Sequence, residues 1–132
     1  NISKMNLPIH LAIICGGNRR WAKKRHLPEF SGHKYAAETT IQQITDYCLN
    51  KKIPYLTFWV LSTENYRRGQ KWIKQYFKLM AYSFKKYQKD FLKKGVCFKF
   101  IGNLKKLPQN IQKIIKQMVL QSKNNKKITV II

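Results

Sequence analysis

The chain has 132 residues, enough for one hydrophobic core and too few for two ordinary domains. An apolar fraction of 44% argues against disorder. Lys and Arg number 27 against 5 Asp and Glu, a net charge of +22 that attracts polyanions such as nucleic acid, anionic membrane or phosphorylated small molecules, unless it is only a lysine-rich solvated surface.

Residues 9 to 14, IHLAII, form a compact apolar run that reads as a buried strand. A glycine-rich basic loop, CGGNRRW, follows at once. From Gly32 a helical pattern begins, with Ala37, Ile41, Ile44 and Cys48 on one face. KKIP breaks it, and residues 55 to 61, YLTFWVL, read as a second strand. STENYRRG is the next loop. Residues 71 to 94 predict the longest helix, with Ile73, Phe77, Met80, Phe84, Tyr87 and Phe91 inward and Gly95 at its C-terminal end. A third strand over 96 to 102, a third helix over 107 to 123 with Ile111, Ile114 or Ile115, and Met118 inward, and a fourth strand over 128 to 132 complete the chain. The order β-α-β-α-β-α-β predicts an α/β fold, a parallel sheet with helices on its faces. Ending on an apolar strand, the chain reads as one domain over 1 to 132 that is incomplete at its C-terminus.

Cys15, Cys48 and Cys97 are odd in number and lack C-x-x-C spacing, and His10, His26 and His33 lack metal-ligand spacing. A disulfide framework and a zinc site are therefore disfavoured, and a reducing cytoplasm fits. No apolar run approaches the ~20 residues of a membrane span. The expectation is a soluble, cytoplasmic protein able to lie peripherally on a membrane.

In open α/β sheets, ligands bind beyond the carboxyl ends of the strands, where CGGNRRW and STENYRRG emerge. Gly16 and Gly17 allow close backbone approach, Asn18 offers amide hydrogens, and Arg20 offers a planar fork for phosphate oxygens. Trp21 suits the wall of an apolar pocket, and His33 adds a further donor. A tight strand-to-helix turn with solvated arginines is the favoured account of GGN alone, and a hydrogen-bonded N-cap explains half of Ser62 to Asn65. Neither G-x-x-x-x-G-K-[ST] nor G-x-G-x-x-G occurs.

Taken in order, HLAIICGGNRRWAKKR, GHK, YLTFWVLSTENYRR and FKFIGN resemble the cis-prenyltransferases, the undecaprenyl diphosphate synthase family, from Pro8 to Ile132. The resemblance implies a transferase that joins isopentenyl diphosphate in cis onto an allylic diphosphate such as farnesyl diphosphate. The product would be a long polyprenyl diphosphate, a membrane-borne carrier for cell-wall precursors. It implies that Gly17, Asn18, Arg20, Trp21 and His33 bind the allylic diphosphate, that Ser62, Thr63 and Glu64 match the second substrate segment, and that Arg68 adds charge there. Asn65 falls at the position assigned to proton removal, where an amide serves as relay or orienter rather than base. Phe77, Met80 and Phe84 are placed to line a channel for the hydrocarbon or simply to pack the core. A homodimer is implied for the full-length protein.

The departures from the pattern concern the metal. The family's aspartate after the first strand, a magnesium ligand, is replaced by Gly16. Arg19 stands in place of a glycine, Glu29 in place of an arginine, Tyr66 in place of Trp, and Gly69 in place of Pro. Further diphosphate-binding arginines and a second magnesium carboxylate belong to the family's last third, which has no counterpart in this sequence. Mg²⁺ is the cofactor the family implies, and this chain keeps no intact ligand for it. The departures leave open a fragment or altered copy of a synthase, a decayed gene product, or a non-catalytic subunit that binds lipid diphosphates or supports a partner. From another class, a basic nucleic-acid-binding module is motivated by the charge and by the aromatics of residues 71 to 94. Those aromatics keep core spacing, and no specific nucleic-acid motif appears.

Overall fold

A computed structural model describes residues 6–132. The sheet has four strands, β1 (His10–Ile14), β2 (Tyr55–Trp59), β3 (Val96–Lys99) and β4 (Ile128–Ile131), all parallel in the order β1-β2-β4-β3. Helices α1 (Asn18–Lys24), α2 (Phe30–Tyr35) and α3 (Ile41–Asn50) lie between β1 and β2. A π-helical stretch, Ala36–Thr40, joins α2 to α3 without a break. Helix α4 (Gln70–Lys93) connects β2 to β3, and α5 (Gln109–Ser122) connects β3 to β4. The β-α alternation and the parallel sheet read from the sequence are therefore those of the structure.

Alternation along each strand decides what is buried. Leu56 and Phe58, Val96 and Phe98, and Ile128 and Val130 face the helices and pack with Cys48 of α3, Phe91 of α4, and Ile114 and Met118 of α5. Ile111 and Ile115 join Met80 in a second cluster, so both Ile114 and Ile115 are buried. Three aromatics of the long helix accordingly serve this core: Phe91 is buried, and Phe84 and Tyr87 pack against the cluster. The opposite sheet face leaves Ile14 74% and Trp59 57% exposed.

Three expectations need correction. The first strand is not buried: among the described residues β1 is the edge of the sheet and pairs only with β2, and it exposes every second residue. Its unbroken apolar run imitates a buried strand, but of its residues only Leu11 and Ile13 face the core. Second, the basic stretch after β1 is not all loop, since α1 begins at Asn18 directly after Gly17, and the helical pattern starts at Phe30 rather than at Gly32. Third, STENYRRG is a 3₁₀ helix over Thr63–Arg68 rather than a loop. Strands 2 and 3 also end earlier, at Trp59 and Lys99, where the outgoing chain turns away from the ladder.

Candidate functional site

Adjacent parallel strands β1 and β2 deliver their carboxyl ends side by side, with Ile14 paired to Trp59. The chain leaving β1 turns at Gly17, whose φ of +82° is one that L side chains rarely adopt. Helix α1 starts there and carries Arg19, Arg20 and Lys23. Helix α2 crosses α1 at Gly32, where a Cβ atom would lie 1.9 Å from the Asn18 carbonyl oxygen. Only glycine permits this approach, and it brings His33 beside Asn18.

These elements enclose a cavity of about 670 Å³ lined on the β1 side by Gly16, Gly17, Asn18, Arg19, Arg20 and Lys23. Glu29 and His33 close it from α2 and its approach, and Asn65, Arg68, Trp72 and Tyr76 from the β2 side. Of the sequence-predicted residues the cavity thus unites Gly16, Gly17, Asn18, Arg19, Arg20, Glu29, His33, Asn65 and Arg68.

The others lie elsewhere. Trp21 stacks on Tyr35 at 4.8 Å, has the Arg25 guanidinium 4.3 Å from its ring centre, and lines an adjoining cavity of about 270 Å³ behind Gly16 to Asn18. Ser62, Thr63 and Tyr66 line a third cavity, of about 370 Å³, between the end of β2 and the segment after β3. Tyr66 donates its hydroxyl hydrogen to the Lys106 carbonyl oxygen at 2.9 Å. Glu64 is exposed and lines none of these cavities.

Asn65 owes its position to Ser62. Its Oδ1 accepts from the Ser62 backbone N–H at 2.9 Å and from the Ser62 hydroxyl at 3.3 Å. That oxygen is already engaged, so the amide presents to the cavity only its N–H donors. Proton acceptance at Asn65 is chemically disfavoured on that ground.

Asn18 Nδ2 donates to His33 Nδ1 at 3.4 Å, which leaves the ring hydrogen on Nε2. Burial pushes the His33 pKa below its ordinary value, the Arg68 and Arg19 charges push it the same way, and Glu29 opposes them. His33 is therefore a neutral single N–H donor near neutral pH. Burial raises the Cys15 pKa and so keeps its thiol protonated. Burial likewise drives the Tyr76 hydroxyl well above its ordinary value, and it donates to the Val60 carbonyl oxygen.

Sequence reasoning passed over Lys23, Trp72 and Tyr76. Lys23 lies four residues after Arg19 on α1, and Trp72 and Tyr76 are four apart on α4, so helical spacing was the available signal. Trp72 stacks on Tyr76 at 5.0 Å and meets His33 edge-on at 5.8 Å, with the Arg68 guanidinium 4.6 Å from its ring centre.

Magnesium does not fit the residues present. Such an ion needs carboxylates beside the phosphates. Gly16 supplies none, and the cavity's one carboxylate, Glu29, is held by Arg19 Nε at 2.6 Å. Among the described residues no group of three or more His, Cys, Asp or Glu is placed to hold a metal ion.

Below the charged cavity lies an apolar one, whose lining shares Cys15, Asn18, His33, Val60 and Tyr76 with it and continues to Met80, Phe84 and Phe98. Phe77 lies outside both and packs against Tyr66. A cationic opening that leads to an apolar recess suits an amphiphile with an anionic head.

The family model of undecaprenyl diphosphate synthase, a prenyltransferase model, matches residues 14–132. The chain belongs to this prenyltransferase family. It is 37% identical, over 94% of its length and 54% of the other, to an isoprenyl transferase of Fusobacterium nucleatum. It is 31% identical to the farnesyl-diphosphate-specific ditrans,polycis-undecaprenyl-diphosphate synthase of Micrococcus luteus, over 99% of this chain and 52% of that one. Its fold superposes on lavandulyl diphosphate synthase from Lavandula x intermedia, solved with dimethylallyl diphosphate, at a TM-score of 0.89 and 27% identity over 94% of this chain and 53% of that one. The chain spans about half the length of the curated relatives it matches. No helix among the described residues is long and apolar enough to cross a membrane.

Proposed function

We propose that the site binds a prenyl diphosphate, head in the cationic cavity and hydrocarbon in the apolar recess. The observation that carries this reading is the wall the two cavities share: Cys15, Asn18, His33, Val60 and Tyr76 border both. Within the family this points to chain elongation, in which isopentenyl diphosphate is joined in cis to an allylic diphosphate such as farnesyl diphosphate. The allylic C–O bond breaks and its diphosphate leaves, a C–C bond forms to isopentenyl diphosphate, and the proton lost from the new unit goes to the departing diphosphate. Arg20, Arg19 and Arg68 screen the charge of the head group, Asn18 and Asn65 orient it through amide hydrogens, and the recess excludes water from the chain. A polyprenyl product would pass to a membrane. A cytoplasmic protein acting at a membrane surface, and a homodimer in the complete protein, are parts of the same proposal.

Gly16 favours a second reading of the same site, capture of a lipid diphosphate without turnover, as a binding or partner subunit. Incubation with farnesyl diphosphate and isotope-labelled isopentenyl diphosphate separates the two. Labelled polyprenyl product of defined length supports elongation. Saturable farnesyl diphosphate binding with no label in the lipid fraction supports capture. Failure to bind farnesyl diphosphate at all would falsify both.

A further inference from the structure

Gly16 is empty of side chain for no steric reason, because a Cβ atom placed there meets nothing within 4 Å. The position lines a cavity carrying four cationic side chains, Arg19, Arg20, Lys23 and Arg68, against the one carboxylate of Glu29 among the described residues. A metal ion added to that excess would meet net repulsion, whereas guanidinium forks neutralise phosphate oxygens directly.

His33 and Trp72, which line the cavity, each also carry a buried N–H, Nε2 and Nε1, that has no protein partner among the described residues. A buried donor left unpaired costs free energy that an acceptor-rich ligand recovers. The orientation of both is fixed: His33 by the Asn18 amide on its other nitrogen, and Trp72 by its stack on Tyr76. Arg68 is held at the same place by lying over the Trp72 ring.

We propose that this cavity takes the diphosphate head without a divalent metal, its charge met by Arg19, Arg20, Lys23 and Arg68 and its oxygens by N–H groups of His33 and Trp72. The inference rests on the prenyl diphosphate reading above and adds the means of recognition. Magnesium in solution then acts only by complexing the free ligand, and it weakens binding rather than enabling it.

Calorimetric titration of the intact chain with inorganic diphosphate, and separately with farnesyl diphosphate, in EDTA and in magnesium buffer tests this. Both ligands are expected to bind in EDTA, no more weakly than in magnesium. Trp72→Phe keeps the ring stack and removes the donor, so diphosphate affinity should fall about tenfold with the melting temperature unchanged. Gly16→Asp should weaken binding in EDTA and restore it with magnesium. Binding that requires magnesium in the unaltered chain overturns the metal-free inference and leaves the prenyl diphosphate reading intact. Equal affinity in Trp72→Phe removes the indole from the donor set. Metal-free binding of inorganic diphosphate, with farnesyl diphosphate bound no tighter, keeps the metal-free inference and overturns the prenyl reading. No binding of either ligand in either buffer overturns both.

Discussion

Arg19 Nε and a Glu29 carboxylate oxygen form an ion pair of 2.6 Å at the rim of the cavity, both side chains about half exposed at 55% and 46%. The two residues lie ten positions apart in the chain, one on α1 and one just before α2, and the structure shows that they meet. The carboxylate on Glu29 offsets part of the charge that Arg19 adds, so the pair weakens the pull of that guanidinium on an incoming anion without removing it. Glu29→Gln should free the guanidinium. An exposed pair contributes little to folding, so stability should stay within about 0.5 kcal/mol of the parent. Affinity for inorganic diphosphate should rise about threefold to tenfold in calorimetric titration. An unchanged affinity would show that Arg19 does not reach the ligand.

Gly32 sets the distance between α1 and α2. A methyl group there would lie 1.9 Å from the Asn18 carbonyl oxygen and 2.6 Å from its carbonyl carbon, and backbone cannot move aside as a flexible side chain can. Gly32→Ala should therefore part the helices, cost about 3 kcal/mol or more in denaturant unfolding, and break the Asn18–His33 contact. Gly16→Ala, where nothing lies within 4 Å, is the control and should leave stability within about 1 kcal/mol of the parent. Equal stability in the two variants would show that α2 shifts to make room.

The elements and their order were legible because strand and helix periodicities are strong here: Leu56 with Phe58, Ile111 with Ile115 and Met118, and the inward row of α4. What periodicity does not carry is position within the sheet. IHLAII reads as a buried strand, yet β1 lies at the edge, because sheet order depends on crossovers that are not written locally. For the site, the family resemblance, together with two polar loops beyond the strand ends, pointed to Gly16 to Arg20, His33, Asn65 and Arg68, which line one cavity. It grouped Trp21, Ser62, Thr63, Glu64 and Tyr66 with them only because they are neighbours in the chain. Consecutive residues on α1 and on the 3₁₀ turn face different sides. Trp72 and Tyr76 belong to no motif, and they entered the cavity through the fold of α4.

His33 makes stability depend on pH. Its pKa is lowered in the folded chain by burial and then by Arg68 and Arg19, with Glu29 acting the other way. Below the unfolded value of about 6.5, the unfolded chain takes up a proton that the folded chain resists. The His33 contribution is complete above that value and is lost as pH falls through the lowered folded value. Melting temperatures measured from pH 7.5 to 5.5 should fall less steeply in His33→Gln than in the parent. Parallel slopes would show that folding does not lower the His33 pKa.

Apolar depth can be tested at Phe84, which borders both the recess below the charged cavity and the cavity beside β3. It also packs edge-on to Phe100 at 5.6 Å. Phe84→Ala should cost about 3 kcal/mol and enlarge the recess. Farnesyl diphosphate should then lose affinity while a longer prenyl diphosphate loses less, and inorganic diphosphate should be unaffected. Equal losses for the two prenyl ligands would place the hydrocarbon elsewhere.

Asn65 offers the sharpest separation of structural from ligand roles, because one oxygen serves the fold and one nitrogen the cavity. Its Oδ1 accepts from Ser62 N–H and Oγ–H and so fixes the start of the 3₁₀ turn that carries Arg68. Asn65→Ala removes that acceptor, and the loss of the cap should cost about 1 kcal/mol. Asn65→Asp keeps an acceptor for both Ser62 donors, so its stability should remain near the parent. It replaces the amide hydrogens with negative charge, however, and at close range to a diphosphate that repulsion should reduce affinity more than tenfold. Denaturant unfolding and calorimetric titration of both variants give the comparison. If binding follows stability, with Asp close to the parent and Ala impaired, Asn65 acts only through the turn. If Asp is the weaker binder while being the more stable protein, the amide hydrogens meet the anion directly.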